Sequence, residues 1–225
     1  MRSTSWTIPN SWLAMVNSRF RLVLVALVTC AVTAAVTFLI FGRSAPPGDA
    51  SPEAGFARDM AVHHAQAVEM SFTVRDQTTD PAIRGLTYDI ITTQTAQRGI
   101  FMGWLQQWGL PQTGDRPSMA WMAGHGGHGG SASTTAPAAT GDAAMPGMAT
   151  PEELKELAGA KGKDAEVMFL RLMIRHHRGG VDMAKAALKL TARDEVRTMA
   201  QHIVDTQDGE IAYMTDLLAK RDAAP

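Results

Sequence analysis

The chain has 225 residues, of which 45% are hydrophobic and 19% charged, a balance that suits one or two globular domains and excludes a wholly disordered or fibrous chain. Its 21 Lys and Arg nearly cancel 22 Asp and Glu, but Arg2, Arg19, Arg21 and Arg43 face no acid within residues 1–43, so residues 44–225 carry 17 basic against 22 acidic groups, a net charge of −5. That sign argues against nucleic acid as a partner, and the single cysteine, Cys30, excludes an intramolecular disulfide and any CxxC motif.

The first element is an uncharged run of 21 residues, Leu22 to Gly42, behind Arg19 and Arg21 and ahead of Arg43. As a helix it spans roughly 31 Å, enough to cross a bilayer core. It exceeds the apolar core of about 7–15 residues usual in a cleavable signal, and Ala45-Pro46-Pro47 is a poor cleavage site, so the expectation is an uncleaved single-pass anchor in the cell membrane; secretion after signal cleavage is the alternative. Arginines concentrate before the span, which puts residues 1–21 in the cytoplasm and the C-terminal domain outside it. Cys30 lies mid-span and reads as membrane filler. The remaining divisions are a linker at 43–51, a helical domain at 52–219 and a tail at 220–225.

Ser51-Pro52 is an N-cap with proline at the first helical position, predicting a helix to about Asp76. Asp80-Pro81 starts a second helix that reaches Trp108 and stops at Gly109-Leu110-Pro111. Residues 109–150 are rich in Gly, Ser, Ala, Thr and Pro and read as a flexible connection too polar to pack as a core. Thr150-Pro151-Glu152-Glu153 has capping-box spacing over a short helix. Asp164 is expected to cap a longer helix reaching about Lys189, and the last helix runs from near Asp194 to before Lys220. Outside the membrane span no alternating β-branched runs lie between turn pairs.

Residues 56–105 align with 169–218 without a gap at an offset of 113, with 13 of 50 positions identical, which marks an internal duplication. Phe56, Arg58, Met60, His63, His64, Val68 and Met70 recur as Phe169, Arg171, Met173, His176, His177, Val181 and Met183, and Arg84, Thr93, Gln94 and Leu105 recur as Arg197, Thr206, Gln207 and Leu218. Two helical hairpins with one apolar stripe per helix close most simply into a four-helix bundle.

The 14 Met and 7 His are the unusual numbers in the composition. At about 100° per residue, Phe56, Met60, His63, His64, Ala67, Met70 and Val74 share a stripe about 120° wide, the width of a core-facing surface; Met173, His176, His177, Gly180 and Met183 repeat it. Imidazole and thioether are neutral ligands that suit copper, and thioether favours Cu(I). Met60 meets His63 and His64 over one turn, whereas Met70, about 15 Å along the axis, belongs to another layer. Gly179-Gly180 inside a helix costs about 1 kcal/mol per glycine, which close approach of a neighbour would offset. The partner stripe carries Gln94, Gln97 and Phe101 against Gln207, Glu210 and Met214, of which Glu210 and Met214 are additional ligands or groups that orient histidine. Within the connection, Met119, Met122, His125 and His128 recur every third residue, followed by Met145 and Met148; soft ligands on a mobile chain suit capture or handover of Cu(I). Trp121 among them stacks on a cation or contacts the bundle.

Met60-x2-His63-His64-x5-Met70, Met173-x2-His176-His177-x5-Met183 and Met145-Pro146-Gly147-Met148 resemble the domain-of-unknown-function family 305 over about residues 52–219. The resemblance implies a ferritin-like four-helix bundle of two duplicated hairpins and, because some relatives are extracytoplasmic copper-binding proteins, a copper role. Gln207, Glu210 and Met214 follow the family's second-helix pattern; Gln97 and Phe101 depart from it, so the halves are not equivalent if these residues bind metal. Iron chemistry is not implied, since a di-iron carboxylate site needs Glu-x-x-His on two helices and the chain contains none.

Three readings follow. In the first, a membrane-anchored extracytoplasmic bundle binds copper, as Cu(I), for sequestration, tolerance or delivery to or from a partner protein, with no catalytic motif. In the second, a structural or partner-binding bundle uses its His-His pairs as hydrogen-bonded core residues. The third and weakest is a redox enzyme that uses the bound metal. The oligomeric state stays open at this point.

Overall fold

The computed structural model describes residues 10–41, 45–123 and 145–225, with side chains from residue 19 onward to 38 in the first of these. The chain divides into two compact units, Met1–Pro46 and Pro47–Pro225. The first contains α1, Asn10–Phe41. Its stretch Arg19–Phe38 is long and apolar enough to cross a membrane, a property that a signal sequence near an N-terminus shares, and its described side chains are all exposed.

The second unit is built from helices α2 (Pro52–Arg75), α3 (Pro81–Gln107), α4 (Pro151–Gly159), α5 (Gly162–Leu190) and α6 (Asp194–Ala219), with a short 3-10 turn at Ala120–Met122; no strand occurs among the described residues. Helix starts follow the capping chemistry. Ser51 Oγ accepts from the Ala54 amide at 3.2 Å, the Asp80 carboxylate accepts from Ala82 and Ile83 at 2.7 and 3.2 Å, and Thr150 with Glu153 closes a reciprocal capping box. Asp164 is a correction to the sequence expectation. It sits in the first turn of α5 rather than at its cap, because Gly162 takes a left-handed φ of 53° and starts the helix directly after Lys161.

α2 pairs with α3 and α5 with α6 as two hairpins, which meet along α2 and α5, and α4 lies against both. Apolar side chains gather into two clusters. One joins Phe56, Met60, Phe101, Leu105, Met183 and Ile203; the other joins Met70, Ile83, Ile90, Phe169, Met173, Met214 and Leu218. Burial of each such side chain contributes about 1.5–3 kcal/mol. The start of α2 is therefore level with the end of α5. His63, His64, His176 and His177 fall on the stretches of α2 and α5 between the two clusters.

The 113-residue correspondence reaches the arginines. Arg58 Nε donates to the Pro111 carbonyl at 3.1 Å and Arg171 Nε to the Ala224 carbonyl at 2.8 Å. Arg84 donates to the Arg75 carbonyl at 3.0 Å, and Arg197 donates to the Leu188 carbonyl in the same way. Each pair joins positions that correspond at the offset of 113: Arg84 and Arg197 cap carbonyls left open at the ends of α2 and α5, and Arg58 and Arg171 hold the segments that follow α3 and α6.

One strong link differs in chemistry between the halves: where the first has Arg193 over the Trp108 ring at 5.8 Å, the second has a charged clamp. Arg221, just past α6, is buried and donates to Glu166 Oε2 at 2.8 Å, Asp80 Oδ2 at 2.7 Å and the Leu217 carbonyl at 3.0 Å, while Thr78 Oγ1 donates to Glu166 Oε1 at 2.5 Å. It joins the α2–α3 turn to α5 and α6, so this part of the 220–225 segment is not a solvated tail. Replacing Arg221 by alanine leaves Glu166 buried without its cation. We expect a loss of about 3 kcal/mol, read as a lower urea midpoint with unchanged slope; an unchanged midpoint would show that the clamp contributes nothing net.

Candidate metal centre

α2 and α5 bring their His-His pairs together. All four imidazoles are completely buried, and His63 lies against His176 with ring centroids 3.7 Å apart and planes tilted by 35°. His63 Nε2 donates to the Pro146 carbonyl at 3.1 Å. His177 Nε2 donates to Glu210 Oε2 at 2.6 Å, and His64 Nε2 to Gln97 Oε1 at 2.7 Å. These last two contacts correspond at the offset of 113. An oxygen acceptor on Nε2 assigns the proton there and leaves Nδ1 with a free lone pair. Nδ1 of all four rings is buried without a hydrogen-bond partner, and neither nitrogen of His176 makes a hydrogen bond of ordinary geometry, although the His63 backbone lies near enough to oppose the lowering of its pKa.

Burial also keeps three of these rings, those of His63, His64 and His176, uncharged. It pushes the His63 pKa down to about 4 and the His64 pKa to about 3, and holds His176 well below the ordinary value, with the neighbouring imidazoles adding to the effect. Neutral imidazole is the metal-binding form.

The methionines divide between the two apolar clusters. Met60, Met183 and Met145 lie in the first, and Met70, Met173 and Met214 in the second, so three thioethers stand on either side of the histidine stretch. Met119, Met122 and Met148 are partly buried against the first cluster. His125 and His128 lie outside the described residues. Among the described residues no three His, Cys, Asp or Glu side chains stand together as a cation site. His202, Glu69 and Asp182 are exposed.

The ends of the connection are packed, which corrects the expectation that residues 109–150 are too polar and flexible to do so. Asp59 Oδ2 accepts from the Met119 amide at 2.7 Å and from Trp121 Nε1 at 2.8 Å. Trp121 then lies edge-on to Phe56 and over Gly55, where a methyl would sit 2.5 Å from its side chain. It contacts the helices rather than presenting a face to a cation. At the other end Gln66 pairs with both the amide and the carbonyl of Ala149, at 2.7 and 2.9 Å, and Met145 is buried. Gly147, at φ 78°, lies against the backbone of Arg175 and His176, and a methyl on Gly179 would be 2.0 Å from the Pro146 carbonyl. A methyl on Gly180 would meet Gln207 Oε1 at 2.5 Å and His63 Cε1 at 3.3 Å. Close approach thus accounts for both helical glycines. The Pro146 carbonyl and Gln66 escape sequence reasoning, since neither a backbone acceptor nor a half-buried glutamine leaves a motif; the Met145-Pro146-Gly147-Met148 run was the only signal.

Comparison with known proteins follows from this geometry. The sequence profile of the domain of unknown function DUF305 matches residues 53–218. The chain belongs to the DUF305 family. A search of the curated proteins returns no match. Among solved structures, the chain is similar to a DUF305 protein of Streptomyces coelicolor whose description marks it as a candidate secreted protein, with 45% identity and a TM-score of 0.69 over 79% of this chain and 98% of that one. It is similar to a DUF305 fragment from Deinococcus radiodurans, with 33% identity and a TM-score of 0.59 over 75% and 96%. It is also similar to CopM in its Cu(II)-bound form, with 26% identity and a TM-score of 0.53 over 74% and 95%.

The depressed histidine pKa values predict an acid-sensitive fold. As pH falls below about 6.5 the unfolded chain takes up protons that the folded chain refuses until about pH 4 for His63 and about pH 3 for His64, so stability is full above that window and declines through it. The urea midpoint of metal-free protein should fall between pH 7 and pH 4, and less steeply in a His64→Leu variant. Equal slopes would show that His64 is not held neutral by burial.

Proposed function

We propose that this protein is a membrane-anchored, extracytoplasmic copper-binding protein that holds Cu(I) through methionine and histidine, for sequestration, tolerance or delivery rather than catalysis. The observation that carries this reading is the set of four buried Nδ1 atoms without a hydrogen-bond partner between two groups of three buried thioethers. A buried imidazole nitrogen without a partner is costly unless a ligand uses it, and an oxygen acceptor on the opposite nitrogen is the usual outer support of a metal-bound histidine. Imidazole with thioether is a donor set for copper, and sulfur weights it toward Cu(I). Similarity to CopM, solved in a Cu(II)-bound form, supports the same metal.

In this reading Met60, His63, His64, Met70, Met173, His176, His177, Met183 and Met214 are the ligand pool of the helices. Met145, Met119, Met122, Met148, His125 and His128 serve capture or handover. The fold is a ferritin-like four-helix bundle of two duplicated hairpins at 52–219, supported by the correspondence of the arginine and histidine hydrogen bonds. α1 is the anchor at 22–42, supported by its length and its arginine bias.

A structural reading has one observation in its favour: His64 and His177 are hydrogen-bonded as core histidines would be. Titration of the full chain in detergent with Cu(I) against a chromophoric chelator decides between them. Changing His63, His64, His176 and His177 together to alanine should weaken binding at least about tenfold, or 1.4 kcal/mol, with helical circular dichroism retained. Affinity equal to wild type would remove the helical site, and a His125→Ala, His128→Ala variant would then show whether the connection is the binder.

A further inference from the structure

Gln94 on α3 and Gln207 on α6 correspond at the offset of 113 and are 2% and 3% exposed. Neither atom of either amide has a hydrogen-bond partner. A buried amide without a partner costs about 1–3 kcal/mol, and in a native core it calls for a ligand, an ion or water to explain it. Such atoms are concentrated on few residues. Of the 12 buried side-chain nitrogen and oxygen atoms without a partner among the described residues, 9 belong to these two glutamines and the four histidines.

Gly180 shows where one of the amides points. The place a side chain would occupy there is flanked by Gln207 Oε1 and His63 Cε1, groups from opposite hairpins that share the space over a bare stretch of α5. Cε1 is the ring carbon between Nδ1 and Nε2; Nε2 is committed to the Pro146 carbonyl, so Nδ1 is the nitrogen left open on this edge of the His63 ring. His176, lying against His63, adds two nitrogens without a hydrogen bond of ordinary geometry. The thioethers lie in the clusters to either side, leaving the histidine stretch lined by nitrogen and amide oxygen.

That chemistry differs from the sulfur-rich positions. Thioether selects Cu(I), whereas imidazole nitrogen with oxygen suits Cu(II). We propose that Gln94 and Gln207 complete, with His63 and His176, a nitrogen and oxygen coordination set for Cu(II), in which the amides take the place that the thioethers hold around Cu(I). This rests on the copper-binding reading above and adds to it a second oxidation state that shares the histidines and differs in the remaining ligands. The amides are then retained at a cost in stability to the metal-free protein.

The test uses the full chain in detergent, with Cu(II) against nitrilotriacetate and, anaerobically, Cu(I) against bicinchoninate. In a Gln94→Leu, Gln207→Leu variant, Cu(II) affinity should fall at least about tenfold and its electron paramagnetic resonance spectrum change, while Cu(I) affinity stays within about twofold. The metal-free melting temperature should hold or rise, because an apolar group replaces an unsatisfied one. Unchanged Cu(II) affinity, equal losses for both ions, or a lower metal-free melting temperature would each overturn the proposal. Should the double variant fail to fold, Gln207→Met alone keeps the side-chain length and exchanges oxygen for sulfur; it should weaken Cu(II) and strengthen Cu(I), and the absence of that shift overturns the proposal. Wild type that binds Cu(I) but not Cu(II) overturns this inference alone, and wild type that binds neither removes the underlying reading with it.

Discussion

Four imidazoles are buried where α2 passes α5, and much of the surrounding structure answers to them. Burial holds His63, His64 and His176 neutral, so α2 and α5 approach one another there through uncharged polar groups. The approach needs small residues, met by Gly180 and Ala67 at equivalent positions of the stripe. It needs oxygen acceptors from outside the pair, and these come from three different places: the partner helix of each hairpin at Gln97 and Glu210, and the connection at Pro146. Gly179 and Gly147 are then required so that the connection can lie close enough to reach His63.

The halves correspond closely but are not equal. His177 leans on a carboxylate and His64 on an amide, so His177 is the more electron-rich donor. Phe101 stands where the second half has Met214, edge-on to His64 at 5.6 Å and linked to Phe56 and Trp104. The sulfur missing at Phe101 is matched by Met145, which reaches the same cluster from the connection. Each cluster thereby holds three thioethers by different routes.

Much of this was legible in the sequence because helix starts and repeated chemistry leave local signals. Ser51, Asp80 and Thr150 announce their helices through side-chain oxygens that accept from nearby amides, and the two Met-x2-His-His runs place their own residues on one stripe. Asp164 misled for the same reason: it is a good cap residue, but Gly162 had already turned the chain. Contacts between distant positions were the blind spot. Arg221 looks like tail charge until Glu166 and Asp80 surround it, and the connection looks like a linker until Asp59 and Gln66 hold its two ends. Pairing of His64 with Gln97 could have been found, since the same spacing recurs between His177 and Glu210.

The connection exists once, and that single fact changes what the two halves are free to become. Two identical hairpins meeting as separate copies would place every substitution on both sides at once. Carried in one chain, they can diverge independently, and here the segment 145–149 pins His63 through the Pro146 carbonyl while its counterpart His176 receives no such hydrogen bond. One central ring therefore has its tautomer set by the fold and the other has it set by whatever it meets. A fused chain gains from its linker a distinction between partners that symmetry would forbid.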